Sequence, residues 1–212
     1  MKAKTVISIS RQFGSGGREI GRLIAKELGI PFYDRALINL AAEKSGMDKQ
    51  VLENLDEKAG NRFLYTVPST IPSVGSHTPT TIYNMPLGDT LFLTEYEIIK
   101  QLAEEGSCVI VGRCSDYVLK ETENHISVFI HAPEACRAKR IAEYEKISEK
   151  EALSRISKYD KERKKYHDYY ASGTWANAPS YDLTINSSLL GLKESAAFIC
   201  SFVKKFEEKG KV

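Results

Sequence analysis

The sequence of 212 residues is short of several things, and each shortage closes off a class of function. No apolar run approaches the roughly 20 residues that a membrane-spanning helix needs. The opening M-K-A-K-T-V-I-S-I-S has two lysines, but its apolar stretch is short and alternating, so it reads as a first strand and not as a secretory signal. The four cysteines, Cys108, Cys114, Cys136 and Cys200, include no C-x-x-C pair and have no histidine close by, which argues against a structural zinc site. They read as reduced thiols of a cytoplasmic protein, with Cys108 and Cys114 flanking a strand and serving packing. There is no internal repeat and little net charge, +2 at neutral pH.

That small net charge hides an asymmetry. Arg137 to Lys165 carries eleven Lys or Arg against six Asp or Glu, a local excess of +5 that leaves −3 on the remainder. A basic segment suits an anionic ligand, and it equally suits a solvated helix whose charges pair along one face. Nucleic acid would require a basic stripe, and a pI of about 8.2 with an acidic remainder argues against one.

The stretch that organises the chain is Thr5 to Leu28. A β-branched alternating run (Val6, Ile7, Ile9) ends in Gly14, Gly16 and Gly17, and Ile20, Leu23, Ile24 and Leu28 follow at helical spacing. A strand, a glycine turn and a helix N-terminus hold anions, because inward backbone N–H groups and the helix dipole both favour negative charge. The helix is expected from about Arg18 to Leu28, with Gly29 as its C-terminal cap. I-P-F-Y-D-R then reads as a short strand ending in Asp34 and Arg35, with Asp34 also placed to cap a following helix.

Helices are expected over Ala36–Lys44 and Met47–Lys58. The segment Asn61–Asp89 holds four of the seven prolines and many Ser and Thr, and reads as a flexible lobe or a dimer arm. Helical spacing returns over Thr90–Glu104. S-C-V-I-V-G-R-C reads as a strand buried on both faces, ending in Gly112-Arg113. Asn124–His131 is a further strand, E-A-C-R-A-K-R-I-A-E-Y-E opens a helix, and another runs from about Ser148 to Asp168. Tyr181–Asn186 is the last strand and Leu192–Glu208 the closing helix. His131 reads as a strand-end residue, His167 as part of an aromatic-rich helix end, and Trp175 as a loop anchor. The alternation predicts an α/β fold: three layers, with a doubly wound parallel sheet of about five strands in one domain spanning residues 1–212.

The glycine loop, Asp34-Arg35 and Gly112-Arg113 all fall at strand C-termini, which in such a sheet line one crevice. With these motifs in order, the sequence resembles the nucleoside monophosphate kinases, most closely the cytidylate kinases and their cytidylate-kinase-like branch. The resemblance covers most of the chain and is weakest over Asn61–Asp89. S-R-Q-F-G-S-G-G-R-E-I-G-R looks like the family's strand, phosphate loop and helix, and V-I-V-G-R like the strand carrying a substrate arginine. V-F-I-H-A-P-E-A-C-R-A-K-R is similar to the strand and first lid helix, Y-D-K-E-R to the D-x-x-R after the lid, and Y-D-L-T-I-N to the last strand.

The resemblance implies a P-loop kinase fold with a mobile helical lid, here residues 137–168, and a monophosphate-binding or flexible lobe at residues 36–90. It implies transfer of the ATP γ-phosphoryl group to CMP, dCMP or a similar acceptor, with Mg²⁺. The donor phosphates would lie on the loop formed by Arg11, Gly14, Ser15, Gly16, Gly17, Arg18 and Glu19. Asp34, Arg35, Arg113 and Asp160 would hold the acceptor. Arg18, Arg137, Arg140, Arg155 and Arg163 would act on the transferring group.

The loop departs from G-x-x-x-x-G-K-[ST]. Aligned on Gly14 and Gly16, Arg11 takes the place of the first glycine and Gly17 that of the lysine; in the variant with an extra Gly before the Thr, Arg18 takes the place of that small residue and Glu19 that of the metal-binding hydroxyl. Two accounts follow. In one, Arg18 or Arg11 replaces the lysine, Ser10 or Ser15 helps place the metal, and no metal ligand is assigned to a protein side chain. In the other, the protein binds a nucleotide or phosphorylated ligand as a regulator. A small-molecule kinase of the same fold is a third, since fold does not fix substrate.

Overall fold

The computed structural model describes residues 4–34, 87–171 and 173–209. The expected helices at Ala36–Lys44 and Met47–Lys58, residue Arg35, and residues 61–86 of the proline-rich segment lie outside the described residues.

The chain runs β1 (Val6–Arg11), α1 (Gly17–Leu28), β2 (Phe32–Tyr33), α2 (Leu87–Glu105), β3 (Cys108–Val111), a short α3 (Ser115–Val118), β4 (His125–His131), α4 (Glu134–Glu145), α5 (Glu149–Tyr170), a 3₁₀ turn (Ala178–Ser180), β5 (Leu183–Asn186) and α6 (Ser187–Lys209). The sheet order is β2-β3-β1-β4-β5 and every pairing is parallel, so β1 is central.

The period of two along β1 builds the layers. Ile7 and Ile9 point to one face, where they pack with Ile20 and Ile24 of α1 and Ile199 and Val203 of α6. Val6 points to the other, with Ile99 and Ala103 of α2 and Val118 and Leu119 around α3. Burying each such aliphatic side chain contributes about 1.5–3 kcal/mol. β3 is buried along its whole length, as its unbroken apolar run predicts. Gly29 caps α1 in the left-handed conformation, its N–H bonded to Ala25 O.

Some boundaries differ from the sequence reading. Helix α2 begins at Leu87, so residues 87–89 are helical and do not belong to an irregular segment. The closing helix starts at Ser187, five residues early, and bends at Gly191, whose φ of 75° is non-helical. Apolar periodicity reads only the part beyond that bend. The four-residue α3 is too short to show a period and was not expected from sequence.

Helices α4 and α5 form a hairpin closed by Ala138, Ile141, Ala152 and Ile156, with Phe13 of the glycine loop packed against it. Ser148 caps α5, accepting from Glu151 N–H at 3.2 Å.

Candidate active site

The glycine loop joins β1 to α1 at the C-terminal edge of the central strand. Gly14 and Gly16 have φ of 76° and 81°, which L side chains rarely adopt. The loop is also too crowded for a Cβ. One on Gly16 would overlap Leu192 Cδ2, and one on Gly17 would lie 2.6 Å from Arg11 Cβ. The N–H groups of Gly17, Arg18 and Glu19 open α1 and have no intrahelical acceptor. This is a backbone cradle with the dipole of a twelve-residue helix behind it, and it fits phosphate oxygens.

Arginines and one aspartate hold the cradle from outside. Asp160 of α5 accepts from Phe13 N–H at 2.7 Å and from Arg137 Nη1 at 2.6 Å. Arg137, 7% exposed, also donates to Phe13 O at 3.0 Å and, through Nε, to Ala132 O at 3.0 Å. Arg140 donates to Gly14 O at 2.7 Å. Ser187 Oγ donates to Ser15 O at 2.6 Å. The expected lid arginines Arg137 and Arg140 thus reach the loop through its carbonyls. Arg155 instead pairs with Glu145 and Glu151 on the hairpin's own surface.

These and neighbouring contacts pair three of the eleven cations between Arg137 and Lys165. Arg137, Arg155 and Lys164 sit in ion pairs, with Asp160, with Glu145 and Glu151, and with Asp168. For these three residues the mixed-charge reading holds, while Arg140 and Arg163 reach backbone carbonyls of the loop region.

A second set of cations converges beside the loop. Arg11, the last residue of β1, runs over Gly17 and lays its guanidinium on Gly112. A Cβ at Gly112 would overlap Nη1, with Cζ 3.0 Å away. The Arg11 pKa is held well below the usual arginine value, first by desolvation, then by the charges of Arg163 and Arg113, with Arg18 adding to the effect and Asp34 opposing it. Arg163 donates to Arg11 O at 3.0 Å and covers the Phe13 ring at 5.6 Å.

Arg113 follows Gly112 at the end of β3. Gly112, Arg113 and Cys114 have successive φ of 81°, 60° and 54°. Two non-glycine residues in that region carry backbone strain, of the kind found where a turn must present a side chain. Arg113 Nε lies 3.2 Å from Glu95, whose side chain is fully buried, and its guanidinium sits 5.9 Å from the Tyr166 ring centre. Tyr166 donates to the other Glu95 oxygen at 2.7 Å. Arg18 turns out of the loop: Nε and Nη2 reach Asp34 Oδ2 at 2.7 and 2.6 Å, while the side chain stays 57% exposed.

Sequence reasoning missed Glu95 and Asp116, and read His167 only as part of an aromatic-rich helix end. His167 is buried, and its Nε2 lies 2.8 Å from Asp116 Oδ2. Asp116 Oδ1 accepts from Ser10 Oγ at 3.3 Å. Tyr170 donates to Asp89 at 2.9 Å and stacks on Phe92 at 4.1 Å. Together these pin the end of α5 to the core. Glu95 had a visible signal: it stands four residues from Leu91 and from Ile99, in the buried register of α2. Trp175 packs edge-on to Phe129 at 5.6 Å, anchoring its loop.

A hard cation finds few protein donors. Among the described residues no cluster of three or more His, Cys, Asp or Glu could hold a metal. Ser10 Oγ is bonded to Asp116, and Ser15 Oγ to Gln12 O. Glu19 is exposed on the first turn of α1. The donor set fits an ion held chiefly by substrate phosphates and water, with one carboxylate in reach of the loop, which is how Mg²⁺ is commonly bound.

A match to the cytidylate kinase-like family extends over residues 6–189. The chain belongs to the cytidylate kinase-like family. Curated relatives include the cytidylate kinase of Methanococcus aeolicus, 35% identical over 91 residues, and that of Pyrococcus horikoshii, 37% identical over 90. These matches take in 42% of this chain and only 51% and 45% of the two relatives.

Among solved structures, an uncharacterized protein of Eubacterium ventriosum is 27% identical over 95% of this chain and 99% of its own, with a TM-score of 0.68. The shikimate kinase of Acinetobacter baumannii, solved with shikimate, covers 96% of this chain and 95% of its own at 15% identity and a TM-score of 0.52. It shares the fold, a P-loop kinase sheet with helices on both faces.

Proposed function

We propose that this member of the cytidylate kinase-like family is a nucleoside monophosphate kinase, transferring the ATP γ-phosphoryl group to CMP, dCMP or a similar acceptor with Mg²⁺. The observation that carries this reading is the meeting of two anion-binding devices at one sheet edge. A backbone cradle at Gly14–Arg18 stands beside the guanidinium groups of Arg11, Arg18, Arg113 and Arg163. One phosphate would be served by the cradle alone. Four arginines beside it suit a second phosphorylated group, whose charge must be neutralised as it approaches the first.

In this reading the N–H groups of Ser15 to Arg18 hold the donor phosphates. Arg113 holds the acceptor phosphate, and Asp34 and Arg35 its nucleoside side, with Asp34 already tied to Arg18. Arg163 reaches the reacting group from α5. Arg137, Arg140 and Asp160 act by fixing the loop, and the α4–α5 hairpin is the lid. Mg²⁺, when bound, would neutralise and orient the donor phosphates, with Glu19 the carboxylate on the first turn of α1. No covalent intermediate is needed, because positioning and charge neutralisation supply the catalysis.

A coupled ADP-release assay over the common nucleoside monophosphates tests the reading. Turnover should be highest with CMP or dCMP. Turnover with a phosphate-free acceptor instead would move the chain to the small-molecule kinases that share its fold. Measurable ATP binding without turnover on any acceptor would make it a nucleotide-binding regulator, the reading that Arg18's attachment to Asp34 favours.

A further inference from the structure

The G-x-x-x-x-G-K-[ST] phosphate loop carries a lysine, and here Gly17 stands in its place. Arg18 is next in sequence, but its two inner nitrogens are spent on Asp34 and its side chain is turned toward solvent. Arg11 is placed differently. Its stem lies against Gly17, on the donor side, and its guanidinium lies against Gly112, on the acceptor side. Both contacts need glycine: a Cβ at Gly17 would press on the Arg11 stem, and one at Gly112 would occupy the guanidinium's place. Two glycines, one opening α1 and one just past β3, therefore make room for one cation.

That cation is uncompensated. Among the described residues, no carboxylate lies within ion-pair distance of Arg11, and no hydrogen-bond acceptor meets its guanidinium. Its neighbours Arg163, Arg113 and Arg18 share its sign, and Asp34, the one opposing charge near it, is engaged by Arg18. A poorly solvated cation held among like charges costs folding stability, and no described residue recovers that cost. An anion bound between the glycine loop and Gly112-Arg113 would.

We infer that Arg11 does the work of the missing lysine, bridging the γ-phosphate on the loop and the phosphate of the acceptor; the inference rests on the kinase reading above. In the step itself the bond from Pγ to the ADP oxygen breaks, and its electron pair leaves on ADP. An oxygen of the acceptor phosphate forms the new bond to Pγ. With a dianionic acceptor no proton moves. Arg11 touches both reacting phosphates and holds the charge that builds between them. Lysine supplies one compact charge from within the loop, whereas the arginine fork offers separate N–H groups to two phosphates at once.

The test compares Arg11→Met, Arg11→Lys and Arg18→Ala in the full chain. Arg11→Met keeps the stem and removes the charge. It should lower kcat by about 10³ or more, on the scale of an arginine acting on a transferring phosphoryl group, with a smaller change in the KM for ATP. It should also raise the melting temperature of the unliganded protein by about 2–4 °C, as expected when a poorly solvated, unpaired charge is removed. Arg11→Lys should recover part of the lost rate, and Arg18→Ala should lose less than Arg11→Met. An Arg11→Met protein within about threefold of the wild-type kcat, or one that melts lower and is inactive for that reason, overturns the inference.

If the unaltered chain turns over no acceptor, the kinase reading fails separately, and inorganic tripolyphosphate binding by calorimetry decides for Arg11. A tenfold or greater loss of affinity in Arg11→Met supports the assignment, and unchanged affinity overturns it.

Discussion

Asp160→Ala should unfasten the phosphate loop from the helical hairpin, and the structure gives the size of the effect. Asp160 makes two short bonds, one to Phe13 N–H at 2.7 Å and one to Arg137 Nη1 at 2.6 Å. Its side chain is 17% exposed and that of Arg137 is 7% exposed. Removing one partner of a buried pair costs about 3–5 kcal/mol, because the other charge stays buried without compensation. Two features place this case near about 3 kcal/mol on that scale: Asp160 is partly solvated, and Arg137 keeps its bonds to Ala132 O and Phe13 O.

For a chain of this length each kcal/mol shifts the melting temperature by about 2–4 °C, so the expected drop is about 6–12 °C. Thermal unfolding followed by circular dichroism reads it. The pair Arg137→Met with Asp160→Leu removes both charges and should recover most of the loss, since a buried ion pair is commonly replaceable by apolar groups of like volume. A drop below about 2 °C for Asp160→Ala, or a double variant worse than the single, would show that the network does not hold the loop as argued.

Two further outcomes follow from local geometry. Gly16→Ala meets both a φ of 81° and Leu192 Cδ2 and should abolish ATP binding, whereas Gly29→Ala, with a φ of 67° and open space around it, should cost only about 1–2 kcal/mol; calorimetric titration with ATP and a melting curve separate them. The His125 pKa is lowered, chiefly by burial, with its Nε2 2.7 Å from Ser8 Oγ. The unfolded chain therefore takes up the proton more readily, so stability should be full above the free-histidine value of 6.5 and fall as pH drops below it toward the folded value. Urea titrations between pH 7.5 and 5 should show that slope, and His125→Gln should flatten it.

The fold was legible because its signals are local. β1, β3 and β4 announce themselves as apolar or alternating runs, and Gly14, Gly16 and Gly29 stand where a backbone must turn left-handed. The site was legible as a motif and much less so as a geometry. Arg18 and Arg11 are equally plausible replacements for a lysine when only their spacing is known. What separates them is Asp34, sixteen residues from Arg18, and Gly112, about a hundred residues from Arg11. The pairing of Asp116 with His167 likewise spans 51 residues and leaves no local trace. Arg137 and Arg140 show the same limit from the other side: their place beside the loop was expected, while their bonding to its carbonyls depends on the register of a helical hairpin.

The central position of β1 has a consequence for how the chain is made. Val6 pairs with Cys108 on one side and His125 on the other. At about 5–20 residues per second, a ribosome delivers the second partner roughly 6–24 s after the first strand. Until β3 emerges, V-I-S-I-S, an apolar stretch with β-propensity and no charge of its own, has neither neighbour in the sheet, and it then has only one until β4 follows. Variants that leave the finished protein unharmed but lengthen that wait, or remove the flanking Lys4, should show their defect as lost yield during synthesis and not as a weaker folded protein.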